Sequence, residues 1–336
     1  MADDGPRGRN SLLDVVTSAL VPAAAGVVLA DGGPVPPLTP ISFFTAAEPA
    51  SLAAVLVVAA GGAYLAGVSR LRGRGDRWPV GRTVAFLGGL LAIASVTVTG
   101  IAAYDTTLLS VHMVQHMILT MIAPILLALG APVTLALRTL PARPRQAVLG
   151  VLHSRVARVL TFPLVSFALF IANPFVLYFS GLYRATLENI WLHEWVHLHF
   201  IVTGCLFFWP LLGIDPLPGR ISYPMRALLM FLSTPFHTVL GLTVMQSASL
   251  FGGDWYPNLG LSWADPYDDQ KLAGGILWAG GEIVSVLMLG ALVVQWMRHA
   301  EKEARRVDRA LDRAEADAAR QAEYDLQQLR GGSVQA

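Results

Sequence analysis

Cysteine and charge are what this chain has least of. One cysteine among 336 residues, Cys205, leaves no disulfide partner within the chain. Its place inside an apolar run gives it the character of a small packing residue. Charged residues make up 14% and the formal net charge is +1, so there is no basic footprint for nucleic acid. No internal repeat is visible, and the apolar runs are continuous rather than alternating, which disfavours a transmembrane β-barrel. Apolar side chains fill the space instead, at 54% of all residues, with a strongly positive mean hydropathy. That is the composition of an integral membrane protein in contact with lipid.

A hydrocarbon core of about 30 Å takes roughly 20 apolar residues per helical crossing. Seven runs of that kind predict an all-α, polytopic transmembrane helical bundle: Ser51–Val68, Thr83–Ala103, Val111–Leu137, Thr161–Phe179, Glu194–Leu212, Ala227–Gln246 and Leu272–Met297. An eighth run, Leu12–Ala30, is interrupted by Asp14 and Pro22 and is either an extra span or a signal-like segment, since Val28-Leu29-Ala30 before Asp31 resembles a cleavage site. The expected organisation is an N-terminal segment 1–45, a seven-helix domain 46–298 and a charged tail 299–336. Arg70, Arg72, Arg74, Arg77 and Arg82 fill one loop, Arg138, Arg143, Arg145, Arg155 and Arg158 another, and Arg220 and Arg226 a third. The loops on the opposite side hold only Arg184 and Lys271. Basic residues stay inside, so the first of the seven spans runs outside to inside, and a multi-pass membrane protein with a cytoplasmic C-terminus is expected. The tail from Arg298 alternates charge sign and reads as a solvated helix.

With that topology, His112 and His116 open the third span and His193, His197 and His199 open the fifth, all on the outer side. Each pair spaced by four residues puts both rings on one helix face. His237 lies deeper, in the sixth span beside Pro235, and His153 and His299 fall in the inner loop and tail. Ionisable groups within a span are costly and usually mark a functional path. Glu282, midway along the seventh span, is a candidate partner for His237, and Asp268, Asp269 and Gln270 open that span.

The stretch His193-Glu194-Trp195-Val196-His197 matches the H-E-x-x-H pattern of zinc metalloproteases. A membrane zincin needs a third ligand from another span. Asp215 is disqualified, because eighteen residues along the same helix put it about 27 Å from His197. Asp268 or Asp269 remains open to that role, and Glu194 otherwise serves as a carboxylate that orients a histidine. A single haem between facing histidines is a second alternative. Copper accounts for more of the residues. Met113, Met117 and Met121 form a thioether stripe beside the histidine stripe, and imidazole with thioether suits copper, cuprous copper above all. Core packing is the competing role for the methionines.

The runs HMVQHMILTMIAPILLALGAPVTLALR (His112–Arg138), LHEWVHLHFIVTGCLFFWPLLGIDP (Leu192–Pro216), TPFHTVLGLTVM (Thr234–Met245) and DQKLAGGILWAGGE (Asp269–Glu282) resemble the signature blocks of the CtaG family of membrane proteins. The blocks cover roughly half the chain, from the third span to the seventh. The resemblance implies a role in assembling haem–copper cytochrome c oxidases of Gram-positive bacteria, with oxidase subunits as partners. This family is distinct from the single-span copper chaperone of the same name. Related chains are sometimes fused to a copper-resistance membrane domain, which favours copper as the metal. The resemblance carries His112, His116, His193, His197, His199 and His237 over as the metal-binding set, with Gln115, Asp269 and Glu282 as polar company. The expected function is copper binding at an outer cavity and delivery to an oxidase subunit, without a catalytic step. A zinc hydrolase built on Glu194 and a haem-binding or metal-free scaffold are the alternatives.

Overall fold

The apolar runs do become helices. In the computed structural model, which describes residues 36–45, 52–218 and 221–332, no strand occurs among the described residues. A short helix α1 (Pro40–Thr45) precedes α2 (Leu52–Gly73), α3 (Val80–Thr97) and α4 (Gly100–Tyr104). Helix α5 (Leu109–Met117) runs through a π-helical turn (Ile118–Ile122) into α6 (Ala123–Leu129). Three short helices follow, α7 (Pro132–Thr139), α8 (Ala142–Leu152) and α9 (Arg155–Leu160), then α10 (Pro163–Phe179) and α11 (Leu182–Glu188). The remainder is α12 (Ile190–Leu212), α13 (Tyr223–Gln246), a single turn α14 (Trp255–Asn258) and α15 (Pro266–Gly332). The candidate eighth span, Leu12–Ala30, lies outside the described residues.

Six helical segments are long and apolar enough to cross a bilayer: 52–73, 80–104, 109–129, 190–212, 223–246 and the apolar part of α15. A seventh is obtained when α10 and α11, bent by 70° about Ser180 and Gly181, are counted as one span. Outward-facing side chains such as Val58, Leu91, Phe231 and Leu287 are exposed and apolar, which in a bilayer is the lipid-facing surface. Two boundaries differ most from the sequence reading. The third span ends at Leu129, not Leu137, because Ala131, before Pro132, takes a left-handed φ of 51° that stops the helix. The seventh begins at Pro266, and its helix continues without a break through Arg298 into the charged tail.

The π turn has a local cause. Pro124 has no N–H to give to the carbonyl four residues back, at Thr120, and the ladder widens instead, with the Ala123 amide donating to Ile118. Helix α12 crosses this widened turn at Gly204, where a Cβ would lie 2.1 Å from the Thr120 oxygen. Helices α13 and α15 approach as closely at Gly241 and Gly274, where each Cβ position would lie within 2.8 Å of the other residue's carbonyl oxygen. These crossings bring α5, α12, α13 and α15 together.

The arginine-rich end is organised separately. Trp78 carries Arg82 and Arg138 over its ring, Arg138 pairs with Asp76 at 3.4 Å, and the Trp78 indole donates to Tyr64, whose hydroxyl donates to the Gly130 carbonyl. Asp215, disqualified as an outer ligand, lies at this end and caps α7. Its carboxylate accepts from the Val133 amide at 3.3 Å, and from the amide and hydroxyl of Thr134 at 2.8 Å and 2.6 Å.

Candidate metal centre

Both histidine-bearing helices start at the end of the bundle opposite Trp78, and each start is fixed by a side-chain cap. Asn189 accepts from the amides of Trp191 and Leu192 at the head of α12. The head of α5 is capped from far away in sequence: Asp269 of α15 accepts from the Leu109 amide at 2.6 Å, the Ser110 amide at 3.3 Å and the Ser110 hydroxyl. Asp269 is therefore a helix cap with its oxygens engaged, and Asp268 pairs with Lys271 at 2.8 Å.

Between α4 and α5 the chain turns, and the turn delivers a carboxylate. Asp105 is 5% exposed and points at α12, with Oδ2 3.0 Å from His193 Nε2 and 3.7 Å from His197 Nε2. The turn is pinned by the Trp255 indole, which donates to the Thr106 carbonyl at 2.8 Å. One ligand atom from each of Asp105, His193 and His197 lies within 4.8 Å of the others. Donors about 2.0 Å from one tetrahedral ion are about 3.3 Å apart, so the Asp105 spacings are close to those of a bound ion. Asp105 lies between two spans; burial alone would raise its carboxyl, but His193 and His197 hold it down at about 2. His197 Nε2 is also 3.0 Å from Gln115 Oε1, and Gln115 Nε2 donates to the Val96 carbonyl, which fixes the amide's orientation between α3 and α12.

His112 lies beside the group. Its ring is 5.7 Å from that of His193, it is 2% exposed, and neither of its nitrogens has a hydrogen-bond partner. The Nδ1 atoms of His193 and His197 are likewise buried without a hydrogen bond. A buried imidazole with neither nitrogen satisfied is expensive unless something binds it, so His112, beside a carboxylate and two imidazole Nε2 atoms, fits a further donor to a metal ion.

The other sequence candidates separate from this group. His116, one turn below His112, takes a bond from or gives one to the Tyr178 hydroxyl at 3.1 Å and stacks on Phe200 with ring centres 4.1 Å apart. His199 is half-buried on the same side of α12 as the exposed Trp195 and Leu198. His237 faces its own helix, with Nδ1 3.4 Å from the Ser233 carbonyl, and packs against Phe170. Glu282 accepts from Thr238 rather than pairing with His237 by a hydrogen bond. Met113, Met117 and Met121 belong to the apolar core, and Met117 runs alongside Gly280 of α15. Glu194 is half exposed, 3.9 Å from His197 Nδ1, on the opposite edge of the ring from Asp105.

Asp105 was missed by the sequence reading, although one signal was there. Between Thr83 and His112 it is the single acidic or basic side chain, and it stands two residues past an apolar run, at the same end as the histidines. Sorting loops by arginine and lysine alone passes over it.

Residues 62–299 match the cytochrome c oxidase caa3 assembly factor family (Caa3_CtaG). The chain belongs to this family. The match takes in Asp105, both histidine pairs and the Asp269 cap. Similar proteins include uncharacterised proteins of Mycobacterium bovis and Mycobacterium tuberculosis, each 42% identical over 273 residues, covering 79% of this chain and 41% of the relative. One of Mycobacterium leprae is 37% identical over 285 residues, covering 82% of this chain and 43% of the relative. The chain thus spans about two fifths of the length of these relatives. No solved structure matches.

Proposed function

We propose that this family member serves oxidase assembly by holding a copper ion between Asp105, His112, His193 and His197 and handing it to an oxidase subunit at the outer face of the bacterial plasma membrane. Copper here is cargo. The observation that carries the reading is a buried carboxylate beside two imidazoles, with a third imidazole whose nitrogens both lack partners. Three imidazoles and a carboxylate suit cupric copper or zinc better than cuprous copper, which prefers softer sulfur donors. The methionines, packed in the core, are left out of the set, and the expectation moves from the cuprous to the cupric ion. Handover proceeds one ligand at a time, and each imidazole that lets go has a neighbouring donor still on the ion.

A zinc hydrolase is the second reading, favoured by Asp105 arriving from another span at the two motif histidines. Its weak point is Glu194. A catalytic base in that motif faces the metal, whereas Glu194 stands on the Nδ1 side of His197 and suits orienting the ring.

The test is metal content of detergent-purified protein produced with copper and zinc both available. Near-stoichiometric copper that is lost in Asp105→Asn and in His193→Ala/His197→Ala supports the copper reading. Zinc at the same residues, with a hydrolytic activity that Glu194→Gln abolishes, supports the second. No metal in the parent protein refutes both.

A further inference from the structure

Beside the histidines, outside the ligand group, lies a cavity of 470 Å³. Its wall toward the site is made of Tyr178 and Tyr183, at the two sides of the α10–α11 bend. The Tyr178 hydroxyl is 3.1 Å from His116 Nδ1, and the Tyr183 ring is 5.2 Å from the ring of His112. One layer of side chains therefore separates the cavity from the unpartnered His112 nitrogens. The opposite rim, the loop after α13, is held in place by Gln270, which accepts from the Phe251 amide and donates to the carbonyls of Ser247 and Ser249.

The lining suits a cation. Ser180, Thr243 and Ser247 donate their hydroxyl protons to the carbonyls of Val176, Val239 and Ser249, at 2.6, 2.7 and 2.7 Å; Ser180 and Ser247 also accept from the Leu182 and Ser249 amides, so what each hydroxyl has left is acceptor capacity. Arg184, the basic side chain in the lining, is engaged by Glu188 at 2.6 Å and by Asp254 at 2.8 Å. Within the lining Asp254 balances Arg184, and Glu188, just outside it, adds a second carboxylate against the same guanidinium. With the guanidinium engaged by carboxylates, oxygen acceptors are what the lining offers, and a hydrated metal ion suits them better than an anion does.

The two tyrosines are held differently. Tyr183 is tied to Tyr256 by a hydroxyl–hydroxyl bond, while the Tyr178 hydroxyl bonds to His116. Displacing Tyr178 breaks that hydrogen bond and its ring contacts with Tyr183 and Phe251, and leaves His116 Nδ1 free to meet the incoming ion.

We propose that this cavity is the vestibule through which a metal cation reaches His112, and that Tyr178 is the side chain that swings aside to admit it. The inference rests on the metal-carrying reading above. The test uses Ser249→Cys in a Cys205→Ala background, since Ser249 lines the cavity and is exposed while Cys205 is buried. The folded, metal-free protein is treated with a bulky maleimide or left untreated, and cupric ion uptake is followed by stopped-flow tryptophan fluorescence, with final copper stoichiometry measured on the same samples. The blocked protein is expected to take up copper at least about tenfold more slowly, to the same final stoichiometry. Equal rates in blocked and unblocked protein, with both reaching full stoichiometry, would overturn the vestibule and leave metal binding intact. Slowing by Glu194→Gln without slowing by the block would overturn it in favour of a path along the exposed Glu194 edge. No copper in the unblocked protein would remove the metal-carrying reading and this inference with it.

Discussion

The spacing of the two histidine helices is set at Gly204, and replacing it with alanine should loosen the metal centre from two turns away. A Cβ there would lie 2.1 Å from the Thr120 oxygen and 2.7 Å from Pro124 Cγ. The oxygen cannot retreat easily, since it is backbone in the π turn. An ordinary carbon–oxygen contact needs roughly 1 Å more, and close-packed interiors pass such a displacement on as helix movement. His197 is seven residues from Gly204, about 10 Å along the axis, so a large part of that shift reaches the ring. Metal sites tolerate errors of about 0.2 Å in ligand distance, several times less than this displacement. We expect Gly204→Ala to cost about 1–3 kcal/mol of stability as an overpacked crossing. Copper affinity should fall by about tenfold or more, equivalent to at least about 1.4 kcal/mol. Detergent-phase thermal unfolding and a competitive copper titration read the two effects. Gly62→Ala, where a Cβ would meet nothing within 4 Å, is the control and should leave both measurements unchanged or stabilise the helix slightly. If Gly204→Ala melts and binds copper like the parent protein, the crossing does not set the geometry of the site.

Asp269→Ala should destabilise the protein by about 0.5–2 kcal/mol through loss of the α5 cap and also weaken copper binding, whereas Asp215→Ala should destabilise by a similar amount with copper affinity intact. Unfolding curves and titrations on the two variants test the contrast. Gln115→Leu, which removes the amide that holds His197 Nε2 and competes with an ion for that nitrogen, should leave copper affinity unchanged or raise it in the same titration. His199→Ala and Met113→Leu should keep the full copper stoichiometry by metal analysis, since neither side chain is in the ligand group.

The bundle was legible because its signal is cumulative. Twenty apolar residues leave few structural choices in a bilayer, and the errors fell where one local feature overrides composition, as Ala131 before Pro132 does in ending the third span. The i,i+4 histidine pairs were legible for the same kind of reason: four residues on a helix fix a face, whatever the tertiary structure. What composition and period cannot give is which partner a polar group finds. His112 and His116 look equivalent in sequence, yet one has two unpartnered nitrogens and the other a tyrosine hydroxyl and a phenylalanine ring. Glu282 is at the depth of His237 but one helical position of difference hands it to Thr238. Asp105 lies in a loop, where spacing carries no directional information and only the fold brings it to His193.

The three aspartates show how that choice of partner becomes a division of labour. Asp215 and Asp269 each accept from two backbone amides and one hydroxyl at a helix start. A metal ion competing for either would have to break several charge-assisted bonds and uncap a helix, so both are poor ligands however close an ion comes. Asp105, among the described residues, faces imidazoles, and those imidazoles are themselves metal donors. On the copper reading, an ion arriving between them would replace the His193 hydrogen bond with coordination and release the proton that held the pair together, and His197 Nε2 would give up its bond to Gln115, while no helix is uncapped. Removal of the ion restores the hydrogen bond. On the copper reading, a carboxylate in that position would stabilise the site both loaded and empty, which suits a carrier better than a permanent cofactor site.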